Sequence, residues 1–289
     1  MLIARYDKRR HTKEDMYGWR CEENTASNYL SHCKRAVLDP VCFENFKSSS
    51  RYKPILEHVT LQQANDYLAD IAKTNPFLLD KLEDFSKVND LIGNPLKQPF
   101  QVGERDVYVS TTTVRYVKVL SDLISLFGSL EGANIVEIGG GYGGLATVIS
   151  EMFAFDSYIN IDLEWPAKLS KLYTSSLGVK NFNITNPDSL DAIGDFDLLI
   201  SNYAFSECNL ETRQFYVNKV ISKSKMGYIT HNGDDIRRNT TRSMLKEYKN
   251  FKVFKLDDRK KKHPIFTWDK KTGFNEQHID NRKNSINVH

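Results

Sequence analysis

The stretch Val136-Glu137-Ile138-Gly139-Gly140-Gly141-Tyr142-Gly143-Gly144-Leu145 combines residue types and spacing that can do chemistry. An apolar run carrying one carboxylate ends in closely spaced glycines, and an apolar run then resumes. Glycines let a backbone turn sharply and approach a ligand with no Cβ in the way. A helix that opens behind such a turn presents free N–H groups to the ligand. Asp162 closes the next apolar run, Ile159-Asn160-Ile161, where a carboxylate can accept both hydroxyl hydrogens of a ribose. It would equally cap the helix before Trp165. Asp188, further on, could accept from an adenine amino group or cap a local turn. Phe196 to Ser201 runs into Asn202-Tyr203-Ala204-Phe205-Ser206-Glu207. Asn202 and Tyr203 are expected to line the cofactor pocket, with Ser206 and Glu207 toward the second substrate.

The glycine loop satisfies two patterns. Gly139, Gly141 and Gly144 fit G-x-G-x-x-G, the dinucleotide fingerprint. Glu137, Gly139, Gly141 and Gly143 fit the acid-x-G-x-G-x-G pattern that binds S-adenosylmethionine. Glu137 favours the second. A carboxylate at the inner end of a strand needs a cation or an N–H partner. The amino-acid moiety of S-adenosylmethionine brings an ammonium group, whereas a pyrophosphate would be repelled.

These residues need a scaffold, and the chain alternates to supply one. Strands are expected at 134–138, 157–161, 181–184, 196–201 and 227–230, with helices at 145–155, 165–177 and 211–222 between them. Such alternation argues for a parallel sheet covered on both faces. Residues 251–255 and 264–268 read as two more strands. Their connection is too short for a parallel crossover, so they should form an antiparallel hairpin. The expected fold is therefore α/β and Rossmann-like, with a seven-stranded, mostly parallel sheet ending in an antiparallel hairpin. That ending is unusual for the dinucleotide fold and usual for class I methyltransferases. Upstream, Ser110 to Thr113 offer N-cap residues to a helical stripe from Val114 to Phe127. A helical pattern also starts at Thr60, while residues 96–105, with Pro99 and Gly103, read as a loop. The division is a helical extension over 1–109 that is expected to cap and help form the acceptor site, a cofactor-binding domain over 110–269 and a polar tail over 270–289.

Bulk properties exclude several classes. The 289 residues carry a formal net charge of +3, too weak a balance to argue for nucleic acid. No apolar run reaches the ~18 residues that cross a bilayer. Cys21, Cys33, Cys42 and Cys208 are too widely spaced for a metal or redox pair, which suits reduced thiols in a cytoplasmic protein.

Two segments together, Val136 to Gly144 and Ser201 to Glu207, resemble the sugar O-methyltransferase family found in gene clusters for surface glycans. Ser110-Thr111-Thr112-Thr113-Val114-Arg115-Tyr116 matches that family's Ser/Thr-rich opening and Arg-Tyr pair, and Gly93-Asn94-Pro95 its turn. The resemblance spans roughly residues 90 to 235. It implies S-adenosylmethionine as cofactor and a hydroxyl of a sugar or glycan precursor as acceptor. Arg115 and Tyr116 would contact donor or acceptor. A protonated hydroxyl is a poor nucleophile, so a general base helps. His231, at the end of the fifth strand, is the first candidate because an imidazole pKa near 6.5 suits neutral pH. Glu207 is the second. A divalent metal on Asn232, Asp234 and Asp235 is a lesser alternative to simple turn chemistry, so no metal ligand is assigned. Arg259 to Lys262 read as a solvated loop, with an acidic acceptor as the sharper alternative. Three rivals remain: a methyltransferase of another small molecule, an NAD-dependent oxidoreductase or epimerase, and a non-catalytic member that binds the donor or a partner without turnover.

Overall fold

The computed structural model describes residues 23–232, 235–246, 251–255 and 264–269 of the chain. Residues 1–22, Asp234, the basic run 259–262 and the tail 270–289 lie outside the described residues.

From residue 23 to residue 89 the chain is largely helical because it alternates caps with amphipathic runs. These residues form α1 (Glu23–Leu38), α2 (Pro40–Asn45), α3 (Lys53–Leu56), α4 (Leu61–Thr74), α5 (Phe77–Asp80) and α6 (Leu82–Asn89). Asp39 caps α2 by accepting from the Val41 and Cys42 amides. Thr60 and Gln63 form a reciprocal capping box that starts α4 where the helical pattern begins.

Residues 96–105 differ from expectation. They are not a loop but most of a hairpin, β1 (Lys97–Val102) paired with β2 (Arg105–Ser110). Pro99 is tolerated because this two-stranded sheet has only edge strands. Gly103, at φ 60°, makes the turn. Ser110 ends β2 and caps the long helix α7 (Thr111–Phe127) by accepting from the Thr113 amide. Asp90 accepts from the Ser110 amide and hydroxyl and from the Thr113 hydroxyl, at 2.7–2.8 Å. The Ser/Thr-rich opening thus ties hairpin, helix and extension together.

The alternating part then runs β3 (Asn134–Ile138), α8 (Gly144–Ser150), β4 (Ser157–Ile161), α9 (Glu164–Ser176), β5 (Phe182–Thr185), β6 (Phe196–Asn202), α10 (Ala204–Glu207), α11 (Leu210–Lys219), β7 (Ser224–Thr230), α12 (Asp235–Lys246), β8 (Phe251–Lys255) and β9 (Pro264–Asp269). The seven-stranded sheet has the order β5-β4-β3-β6-β7-β9-β8. Its first five strands pair in parallel; β9 pairs antiparallel with both β7 and β8. The fold is the α/β, Rossmann-like arrangement expected, including the closing hairpin. The helix α12 adds to the expected pattern.

Two apolar layers cover the sheet. One joins α7, α8 and α9 to the N-terminal helices through residues such as Leu120, Leu145 and Phe46. The other packs Val217, Leu245 and Phe266 against Ile138 and Leu199. Strand order reverses between β3 and β6, because β4 and β5 build outward on one side and β6 and β7 on the other. Open α/β sheets bind ligands in the crevice at such a switch point, beyond the carboxyl ends of the strands.

Candidate functional site

A pocket lies at that switch point. From the sheet it is lined by Glu137, Gly139, Gly140, Gly141, Asp162, Asn202, Tyr203, Ala204, Glu207 and Asn232. Arg115 and Tyr116 line it from α7. The helical extension closes it with Tyr29, Ile55, Leu56, His58, Val59, Gln63 and Tyr67.

The glycine bend is tight for identifiable reasons. Gly139 has φ 74°, and a Cβ there would lie 2.1 Å from the Ala204 Cβ. Gly141 has φ 58°, and its Cβ would meet Leu56 Cδ1 at 2.7 Å. The bend is held from within. The Gly139 amide donates to the Ile161 carbonyl, the Gly140 amide to Asn160 Oδ1 at 2.9 Å, and the Gly141 amide to Asp162 Oδ2 at 3.0 Å. Three amides that could face a pyrophosphate are therefore already engaged.

Glu137 is buried, and its Oε2 accepts from the Tyr158 hydroxyl at 2.6 Å. Burial pushes its carboxyl up to about 7, against the pull of the Tyr158 hydrogen bond. Asp162 is also buried and also pushed up to about 7, against the amides of Leu163 and Gly141. Two hard-to-ionise carboxylates on one wall invite a cation and hydroxyl donors, and disfavour an anion.

The far side is set by β6. Ser201 donates to the Ile138 carbonyl and accepts from the Phe205 amide, locking the ends of β3 and β6 together. Tyr203 has φ 71°, a conformation that a bulky residue adopts only when its surroundings impose it. Its amide is held by the Thr230 carbonyl at 3.0 Å. Glu207 Oε1 accepts from Asn232 Nδ2 at 3.0 Å, which fixes one carboxylate oxygen at the pocket edge.

The structure thus brings Glu137, Gly139, Gly141, Asp162, Asn202, Tyr203, Arg115, Tyr116 and Glu207 to one pocket. Other expected residues stand elsewhere. His231 does not line it. It is fully buried, with Nε2 3.2 Å from Thr241 Oγ1 and its ring 5.7 Å from that of Phe266. The reason is β9: the His231 amide donates to the Pro264 carbonyl, so the hairpin covers the strand end that would otherwise open on the active edge. Ser206 is buried; its hydroxyl donates to the Tyr203 carbonyl and accepts from the Asn232 amide. Gly143, at φ 85°, opens α8 rather than facing the pocket. Trp165, whose ring at the start of α9 could stack on adenine or a sugar face or simply pack the helix, lies beneath the Lys34 and Lys168 ammonium groups. The Asp188 side chain lies outside the described residues. Among the described residues, no group of three or more His, Cys, Asp or Glu could hold a metal, and no helix is long and apolar enough to cross a membrane.

Sequence reading gave the extension a part in the acceptor site but named none of the residues it brings to this pocket. His58 precedes α4, and Gln63 and Tyr67 lie within it; its amphipathic spacing signals that one face is covered but not by what.

No protein-family model and no curated protein matches this chain. Solved structures similar to it include an rRNA methylase from Streptococcus thermophilus, at 13% identity and TM-score 0.42, covering 54% of this chain and 96% of that one. Another is magnesium protoporphyrin IX methyltransferase from Synechocystis with bound SAM, at 12% identity and TM-score 0.42, covering 71% and 95%. A third is precorrin-6y C5,15-methyltransferase from Geobacter metallireducens, at 12% identity and TM-score 0.42, covering 59% and 94%. These likenesses are distant and assign no activity to this chain.

Proposed function

We propose that the protein is an S-adenosylmethionine-dependent O-methyltransferase acting on a hydroxyl of a sugar or surface-glycan precursor. One observation carries the cofactor: the bend after β3 has its amides engaged internally and two buried carboxylates beside it. That wall fits an ammonium and a ribose, and it does not fit a pyrophosphate. Glu137 would hold the donor's ammonium, and Asp162 its ribose hydroxyls. Gly139 and Gly141 leave the room that side chains would fill.

When bound, the donor supplies an electrophilic methyl group on a sulfonium, already activated for in-line displacement. The chain's own work is alignment and proton removal. With His231 sealed behind β9, Glu207 is the general base in this reading. Asn232 holds one of its oxygens, which leaves the other to accept the acceptor hydroxyl's proton. Tyr67, Tyr203 and Gln63 offer rings and an amide, the mixture that a sugar's apolar face and hydroxyls require. The Arg115-Tyr116 motif and the two quoted segments support the sugar class through the family resemblance.

The test is a thermal-shift comparison of S-adenosylhomocysteine with NAD, followed by labelled-methyl transfer to nucleotide sugars. Stabilisation by the thioether alone is expected. Stabilisation by NAD alone would sink the reading. Glu207→Gln should leave thioether binding intact and slow transfer by roughly 10²-fold or more, as loss of a general base does.

A further inference from the structure

We propose that Arg115 is an anion anchor, and that its guanidinium receives a carboxylate entering the pocket with the substrates. Arg115 is half-buried near the start of α7, and its guanidinium carbon lies 5.2 Å from the Tyr116 ring centroid. It lines the pocket with Tyr67 and Tyr203. Among the described residues, no hydrogen bond and no carboxylate within ion-pair distance reaches it. The contrast with Lys118, three residues on, is direct. Lys118 is buried, and it holds Asp122 at 2.7 Å. The same helix thus gives one cation a carboxylate partner and, among the described residues, brings none within ion-pair distance of the other.

A guanidinium stays charged in any protein environment, so its partial burial is a cost that an arriving anion offsets. Its planar fork matches a carboxylate through two parallel hydrogen bonds. Among the described residues, Arg115 is the one side chain of permanent positive charge in the lining. His58 does not duplicate it, because burial and the Arg115 charge hold that imidazole toward its neutral form. Glu57 and Glu137 feel the Arg115 charge from a distance, but among the described residues neither they nor Asp162 forms an ion pair with it.

Two sources share this chemistry: the amino-acid carboxylate of the donor, and an acid group on the acceptor, as in a uronic-acid-type sugar. The first rests on the methyl-donor reading above; the second does not. Calorimetric titration of the wild type and Arg115→Gln separates them. The probes are S-adenosylhomocysteine, 5′-methylthioadenosine (which lacks the amino-acid arm), glucuronate and glucose. A donor source is expected to cost Arg115→Gln roughly ten- to a hundredfold in thioether affinity, the range of a charged hydrogen bond, and to leave methylthioadenosine unchanged. An acceptor source leaves both nucleosides unchanged and removes a wild-type preference for glucuronate over glucose. Equal weakening of both nucleosides, or no change with any probe, overturns the proposal. Should the wild type ignore both nucleosides, the methyl-donor reading falls and the glucuronate arm alone decides Arg115; no preference there overturns it. If Arg115→Gln fails to fold, Arg115→Lys, which keeps the charge but not the fork, carries the same comparison.

Discussion

Glu137 and Asp162 place two carboxyls where ionisation is hard, and that has a pH signature. Both folded values, pushed up to about 7 by burial, lie above the unfolded range near 4. The folded chain therefore binds more protons than the unfolded chain across that interval. Their stabilising contribution is complete below about pH 4 and is lost as pH rises through about 7. Urea midpoints should fall between pH 5 and 7.5, and fall less steeply in Glu137→Gln. A donor ammonium needs the ionised form of Glu137, so thioether binding near pH 6 should release protons. Calorimetry in two buffers of different ionisation heat measures that release, and Glu137→Gln should reduce it. His231 makes the opposite kind of residue-scale prediction. Removing its ring by His231→Ala strips the Thr241 contact and the packing on Phe266. Thermal unfolding should show a loss of about 2–4 kcal/mol, while thioether affinity stays within about twofold. Unchanged stability with lost transfer would restore His231 as a base.

At the scale of elements, α7 carries a buried ion pair whose carboxylate also ties the helix to the sheet through Tyr228. Lys118 Nζ lies 2.7 Å and 2.8 Å from the two Asp122 oxygens, and the Tyr228 hydroxyl on β7 donates to the same carboxylate at 3.0 Å. Asp122→Ala leaves an uncompensated buried ammonium, and urea unfolding should register a loss of about 3–5 kcal/mol. A Lys118→Met/Asp122→Leu pair should recover most of it, because an apolar replacement needs no partner. Much of this scale was legible from sequence. Periodicity and turn residues placed the strands from β3 onward, and Ser110 marked the start of α7. What failed did so for tertiary reasons. Pro99 and Gly103 carry loop signals, yet an isolated edge hairpin accepts both. His231 ends its strand where a catalytic base belongs, but only the pairing of β9 with β7 decides that it is sealed. Glu137 and the glycines could be read because backbone geometry demands them locally. His58, Gln63 and Tyr67 reach the pocket from a segment about 80 residues upstream of the bend, and no local signal records that.

Across the whole molecule, the helical extension and the glycine bend meet at one buried lysine. Lys47 is 1% exposed, and its ammonium sits 4.3 Å from the Tyr142 ring and 4.6 Å from the Tyr173 ring. It donates to the Asn89 carbonyl and, at 3.0 Å, to the Tyr173 hydroxyl. Tyr142 is the residue that follows Gly141, and its ring packs edge-on against Phe46 and Tyr173. The cage therefore joins the extension, α9 and the bend through a single charge. Burial pushes the Lys47 pKa down, and nearby Glu57 and Asp90 oppose that, so the ammonium form depends on the assembled cage. Lys47→Met keeps the bulk and removes the charge and its hydrogen bonds. Its loss should cost about 1–3 kcal/mol in urea unfolding. The informative readout is hydrogen exchange, which reports local opening. If the lysine couples cap to cofactor loop, protection should fall both in the 40–60 segment and at 139–150, with thioether affinity reduced roughly tenfold, about 1.4 kcal/mol. Loss of protection confined to the 40–60 segment, with affinity intact, would show that the cage anchors the extension without shaping the bend.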